Sequence, residues 1–132
     1  MTLEFSTQFA ALGLATFRII VGAVFVKHAV PKLEDPRSTQ EFFESVGLPD
    51  SSYLVYLALG IEVIAGTLLA IGLYTQLAAL VLTAFMFVAT YISIKELDKD
   101  FEGGYEVDIL LLGATFMFYL NGAGQYAVEA VL

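Results

Sequence analysis

Between Leu77 and Ile94 no residue carries a charge, and three further apolar runs, over 9–30, 53–74 and 105–120, accompany that one. At a rise of 1.5 Å per residue, each run is near the ~20 residues that cross a hydrocarbon layer ~30 Å thick. With 58% hydrophobic and 15% charged residues and a mean hydropathy of +0.79, a 132-residue chain has too many apolar side chains to hide inside a water-soluble globule. The reading is all-α: a polytopic membrane protein whose four antiparallel helices, about 9–30, 53–72, 76–95 and 105–120, form one membrane domain over residues 1–132. The first run follows MTLEFSTQ, which lacks the basic segment of a cleaved leader, and it contains Arg18, so it reads as a retained helix.

The breaks between the runs are chemically explicit. Pro31 has no backbone donor and restricts Val30, so the first helix is expected to end or kink there. In LEDPRSTQEFFESVGLPDSS, Ser38 and Glu41 have capping-box spacing ahead of Phe42, Phe43 and Val46, which predicts a short helix lying in the membrane interface. GLYT then separates the second and third helices. Gly72 suits a left-handed C-terminal position and Thr75 suits a cap, which predicts a tight antiparallel hairpin. No internal repeat or low-complexity tract interrupts the chain.

Four crossings bring the 31–52 and 95–104 loops to one side, with Lys32, Arg37, Lys95 and Lys99. The positive-inside rule places those loops in the cytoplasm and both termini outside. The same loops carry nine of the 14 acidic residues (Glu34, Asp35, Glu41, Glu44, Asp50, Glu96, Asp98, Asp100 and Glu102), the source of the net charge of -8. An acidic exterior would invert the orientation, and the excess argues against nucleic acid or anionic lipid as a partner. Zero cysteines exclude disulfides, thiolate nucleophiles and iron–sulfur ligation, and one histidine excludes a bis-histidine haem within one chain. No metal site and no resident cofactor is evident from the residues.

The chemistry concentrates in ionisable groups inside the apolar runs, where an unpaired charge costs ~2.5–3.5 kcal/mol on insertion scales. Arg18, 12 residues before Val30, lies ~18 Å below the loop-side surface, and Glu62, nine past Tyr53, lies ~14 Å below it. The expectation is an Arg18–Glu62 ion pair, either functional or a register device. Ala58, Glu62, Gly66 and Ala70 form a small-residue stripe that admits a neighbouring helix, with Gly22 making room opposite. Higher up, His28 and Lys32 share the Arg18 side of the first helix, while Lys27 points away toward headgroups. Glu106 and Asp108 open the fourth helix ~200° apart, so only one can join a given cluster. For His28 the alternative to a ligand or proton-transfer role is an ordinary interfacial histidine. Phe85, Phe87, Phe116 and Phe118 read as packing and lipid contact.

Arg18 with Gly22, His28-Ala-Val-Pro-Lys32-Leu33, Val46-Gly-Leu-Pro49, Glu62 with Gly66, Gly72-Leu-Tyr-Thr75, Gly104-Tyr-Glu106 and Gly122-Ala-Gly124-Gln-Tyr126 occur in one order over nearly the whole chain. In this the chain resembles the DoxX family of small four-helix membrane proteins. It departs at Ala29, where the family's HGxxK pattern has glycine, at Gln76, where an arginine is usual, and at Ala123, in place of a proline. The missing arginine weakens any role on the terminus side. The resemblance implies a membrane subunit of a redox complex, handling quinone or a small sulfur oxyanion, with Arg18, His28, Lys32, Glu62, Tyr105 and Glu106 as binding or proton-transfer candidates. Whether the chain is itself an enzyme, as part of a quinone-linked oxidoreductase, stays open, with electrons supplied by a partner subunit or passed between substrates. The alternatives are a scaffold that anchors a partner through the acidic loops, with or without homo-oligomerisation, and a small transporter. Transport ranks lower, because Arg18 would neutralise the membrane glutamate that such a carrier must leave free.

Overall fold

A computed structural model describes residues 8–132. Five helices account for most of them. Helix α1 is Ala10–Glu34, α2 is Pro36–Ser45, α3 is Ser52–Ile71, α4 is Thr75–Glu96 and α5 is Glu106–Asn121. All but α2 belong to segments long and apolar enough to cross a membrane, the fourth running Phe101–Asn121 and including the turn before α5. They form an antiparallel bundle in which α1 packs along α3 and α4 along α5, while contacts between α3 and α4 and between α1 and α5 close the ring. Phe25, Leu69, Leu82 and Phe118, all 0% exposed, fill its centre.

Helix α1 continues through Pro31 to Glu34, one turn beyond the expected end at Val30. Proline removes one amide donor from the ladder, but its carbonyl still accepts, here from Asp35 N at 3.0 Å, and a helix already held by tertiary packing survives that loss. Helix α2 forms as expected, but under a different cap. Asp35, not Ser38, accepts from the Ser38 amide at 3.0 Å, and Pro36 occupies the first helical position, where its missing N–H costs nothing. Glu41 pairs instead with Arg37 at 3.4 Å, both exposed.

Tight approach of α1 and α3 rests on the small-residue stripe. A Cβ on Gly22 would lie 2.5 Å from Gly66 O and 2.7 Å from Ala70 Cβ, so only hydrogen fits. Within α3, Ile61–Ala65 is wound as a π-helical turn with Glu62 in it. The hairpin after α3 is a Schellman closure: Gly72 has φ +74°, and Leu73 N reaches Leu68 O at 3.0 Å. Thr75 does not cap α4 with its side chain; its amide donates to Glu129 Oε2 at 3.1 Å. The segment after α5 folds back over the same end of the bundle, with Glu129 N donating to Gly72 O at 2.9 Å.

Candidate functional site

Two polar centres occupy opposite ends of the bundle. At the terminus end, Arg18 is 2% exposed, and its guanidinium donates to three backbone carbonyls: Ala70 at 3.3 Å, Ala123 at 2.5 Å and Tyr126 at 2.8 Å. Ala70 O belongs to the last turn of α3, whose carbonyls lack amide partners inside the helix, and the other two belong to the folded-back segment. A planar fork of five donors suits that task, and Gly72 leaves space for it, since a Cβ there would lie 3.1 Å from Arg18 Cζ.

Arg18 and Glu62 do not meet. The α1–α3 register is anchored where Gly22 faces Gly66 and Ala70, so Arg18, one turn before Gly22, comes level with Gly72. Glu62, one turn before Gly66, lies in the opposite direction along α1. The level estimate failed because α1 outruns Pro31. Measured from Glu34 and Ser52, the true loop-side ends, Arg18 lies ~24 Å deep and Glu62 ~15 Å, too far apart for one side chain to bridge.

Lys32 takes the arginine's expected place. Its Nζ lies 2.9 Å from Glu62 Oε2 and 3.1 Å from Oε1, and it also donates to His28 O at 3.2 Å. Because the helix passes through Pro31, Lys32 stays one turn above His28 and can lower its ammonium along the apolar stem to a residue that is 3% exposed. The π-helical turn helps to set where Glu62 points, and such turns are frequent at functional sites.

This ion pair borders a cavity of about 790 Å³ enclosed by α1, α3, α4 and the loop side of the bundle. Its walls are mainly apolar, Phe25, Ile61, Phe85 and Met86 among them, and Phe42 and Phe43 of α2 roof it. His28, Lys32, Glu62, Ser93, Lys99 and Asp108 supply the polar groups. On the α3 and α4 walls the cavity is lined by Leu57 and Val88, which are 45% and 55% exposed. Volume, apolar walls and a few polar groups at one end are the usual features of a small-molecule site.

Of the six candidates, the structure brings His28, Lys32 and Glu62 to the cavity and leaves Arg18, Tyr105 and Glu106 away from its lining. Tyr105 packs edge-on against Phe101, with centroids 5.5 Å apart. Glu106 Oε1 accepts from Gly103 N at 2.8 Å, closing the turn ahead of α5. Asp108 is the acidic residue of α5 that faces the cavity, and Ser93 Oγ donates to its Oδ2 at 2.5 Å. The opposed directions of Glu106 and Asp108 were legible, but the choice between them depends on the rotation of α5. Ser93 carries no signal beyond being a hydroxyl near the end of an apolar run.

The DoxX family model matches residues 13–94, more than half of the chain and the part that contributes His28, Lys32 and Glu62. This chain belongs to the DoxX family. Over 118 residues it is 34% identical to a Bacillus subtilis (strain 168) protein named "Putative oxidoreductase CatD", an alignment that covers 89% of this chain and 85% of the relative. No solved structure matches it. Membership extends to a similar length and architecture, a multi-pass membrane protein in which the cavity groups on α1, α3 and α4 fall inside the matched region, whereas Asp108 lies beyond it.

Proposed function

We propose that this DoxX-family protein is the membrane subunit of a redox complex and takes a quinone-type head group from the bilayer into the loop-side cavity. The observation that carries this reading is the cavity itself: about 790 Å³ and mainly apolar, with the half-exposed Leu57 and Val88 on its α3 and α4 walls and His28, Glu62 and Asp108 along its lining. A lipophilic ring with oxygens at its rim fits such a space, since the ring is buried against Phe25 and Phe85 while the oxygens meet ionisable side chains. Two-electron reduction of a quinone consumes two protons, and His28 together with the Lys32–Glu62 pair connects the cavity to the loop side for their delivery. The electrons come from a redox partner subunit, a role in keeping with the oxidoreductase name of the Bacillus relative. A small sulfur oxyanion is the weaker occupant: the charge of Lys32 is already matched by Glu62, and the guanidinium of Arg18 is committed to backbone carbonyls.

Thermal shift of the purified protein in detergent, titrated with decylubiquinone, tests the reading. We expect saturable stabilisation, about 2.7 kcal/mol at a hundredfold excess over Kd, and a clear loss of affinity in His28→Ala. Absence of saturable stabilisation in the wild type, with a soluble protein copurifying in stoichiometric amount, would favour the scaffold reading instead.

A further inference from the structure

The polar groups that line the cavity fall on two walls. His28, Lys32 and Glu62 belong to α1 and α3, whereas Ser93, Lys99 and Asp108 belong to α4, α5 and the loop between them. Each wall carries one carboxyl group, and the two are held differently. Both oxygens of Glu62 face the ammonium of Lys32, at 2.9 and 3.1 Å. An ammonium can only donate, so a proton added to Glu62 would set an O–H against N–H groups. Asp108 forms no ion pair among the described residues. Its partner is neutral: Ser93 Oγ donates to Oδ2 at 2.5 Å. A hydroxyl donates to a carboxylate and accepts from a carboxylic acid, so Ser93 can serve Asp108 in both protonation states.

The wall of α4 and α5 also fixes where that carboxyl group stands. Ser93 is 6% exposed and sits in a π-helical turn, Ile92–Glu96, as Glu62 sits in the turn at Ile61–Ala65. The amide of Lys99 donates to Ser93 O at 3.0 Å, which ties the loop to that turn. Ser93 belongs to the last turn of α4 and the half-buried Asp108 to the first turn of α5, so both stand near the loop side. Glu106, in the same turn of α5, is bonded to Gly103 N and does not line the cavity.

We infer that Asp108, positioned by Ser93, gives the head group one of the two protons it takes up, the other arriving from the wall of α1 and α3. This rests on the reading that a quinone-type head group enters the cavity. The two carbonyl oxygens of a para-quinone lie at opposite ends of its ring, so a ring seated between the walls presents one oxygen to each. The electrons come from a carrier on the redox partner and do not pass through Asp108. As they arrive, the O–H bond of the Asp108 carboxylic acid breaks and its electron pair stays on the carboxylate. The proton bonds to a lone pair of the reduced ring oxygen. Ser93 then turns from accepting to donating, and loop-side water returns a proton to Asp108.

Redox-difference infrared spectroscopy of the detergent-solubilised full chain with decylubiquinone tests this, an electrode supplying the two electrons under anaerobic conditions. Thermal shift first establishes that the quinone is bound. On reduction we expect a carboxylic acid C=O band to disappear and carboxylate bands to rise, with the C=O band moving to lower frequency in heavy water. The band should be lost in Asp108→Asn, which keeps an acceptor for Ser93, and kept in Glu106→Gln, whose side chain lies outside the cavity lining. Ser93→Ala should shift the band, and Ser93→Thr, which keeps the hydroxyl, should return it to the wild-type position. A bound quinone whose reduction gives no carboxylic acid signal in the wild type overturns the inference. So does a band that survives Asp108→Asn in a variant that still binds the quinone. Either result leaves the proposed function standing, whereas absence of decylubiquinone binding overturns that function and this inference together. The wild-type spectrum needs no variant, so a misfolded Asp108→Asn protein does not remove the test.

Discussion

Among the described residues, the two buried charges, Arg18 and Glu62, each have partners chosen by reach. Glu62 is held by Lys32 at 2.9 Å, so Lys32→Met should strand a buried carboxylate and cost about 2–3 kcal/mol, below the range for fully buried pairs because the Lys32 side chain keeps 16% of its exposure. Adding Glu62→Gln to Lys32→Met should recover about half of that loss, and a double-mutant cycle of thermal unfolding in detergent reads it directly. The same cycle applied to Arg18 and Glu62 should be additive to within about 0.5 kcal/mol, since the two groups occupy opposite ends of the bundle. Arg18→Met leaves three carbonyls without their donor, with an expected loss of about 3 kcal/mol and proteolytic cleavage within 122–132. Arg18→Lys should recover less than half, because a point charge cannot reach three carbonyls at once. The sequence marks all of these residues as costly in lipid and therefore as paired. It does not say with whom, since Arg18 and Lys32 are both cations on one side of α1, and the choice turns on a few ångströms of helix register.

At the scale of elements, that register is set by glycine. Gly22→Ala would force a methyl to within 2.5 Å of Gly66 O, so α1 and α3 must separate, with an expected loss of about 1–3 kcal/mol and weaker Lys32–Glu62 coupling. Gly113→Ala is the matched control: nothing lies within 4 Å of its Cβ, and alanine should stabilise that helix by about 0.5–1 kcal/mol. Thermal unfolding of the two variants side by side checks both signs. The small-residue spacing of Gly22, Gly66 and Ala70 was legible because period-four small residues have one principal use between membrane helices. Less legible were the passage of α1 through Pro31 and the π-helical turn at Ile61–Ala65. In both places local backbone preference is overridden by packing, and packing partners are not written in the local sequence. Each shift moves a side chain by a turn or less, yet the first is enough to replace the Arg18–Glu62 pair by Lys32–Glu62.

For the whole molecule, the end that faces the cytoplasm decides from which side protons and a partner subunit would reach the cavity under the proposed function. Lys27, Lys32, Arg37, Lys95 and Lys99 lie on the cavity side, and the other basic residue, Arg18, is buried toward the termini. The positive-inside rule counts basic residues near helix ends and gives carboxylates little weight, so the acidic excess of the same loops does not cancel it. By that rule the cavity side is expected to face the cytoplasm, and the redox partner of the proposed function would dock there against α2 and the 95–104 loop. Because the chain has no cysteine, single cysteines introduced at Ser38, Glu102 and Gln125 can be labelled in intact cells with a membrane-impermeant maleimide. Labelling of the Gln125 variant alone is the expected pattern. Labelling at Ser38 and Glu102 but not at Gln125 would put the acidic loops outside, and the proposed proton route by His28, Lys32 and Glu62 would then start from the exterior.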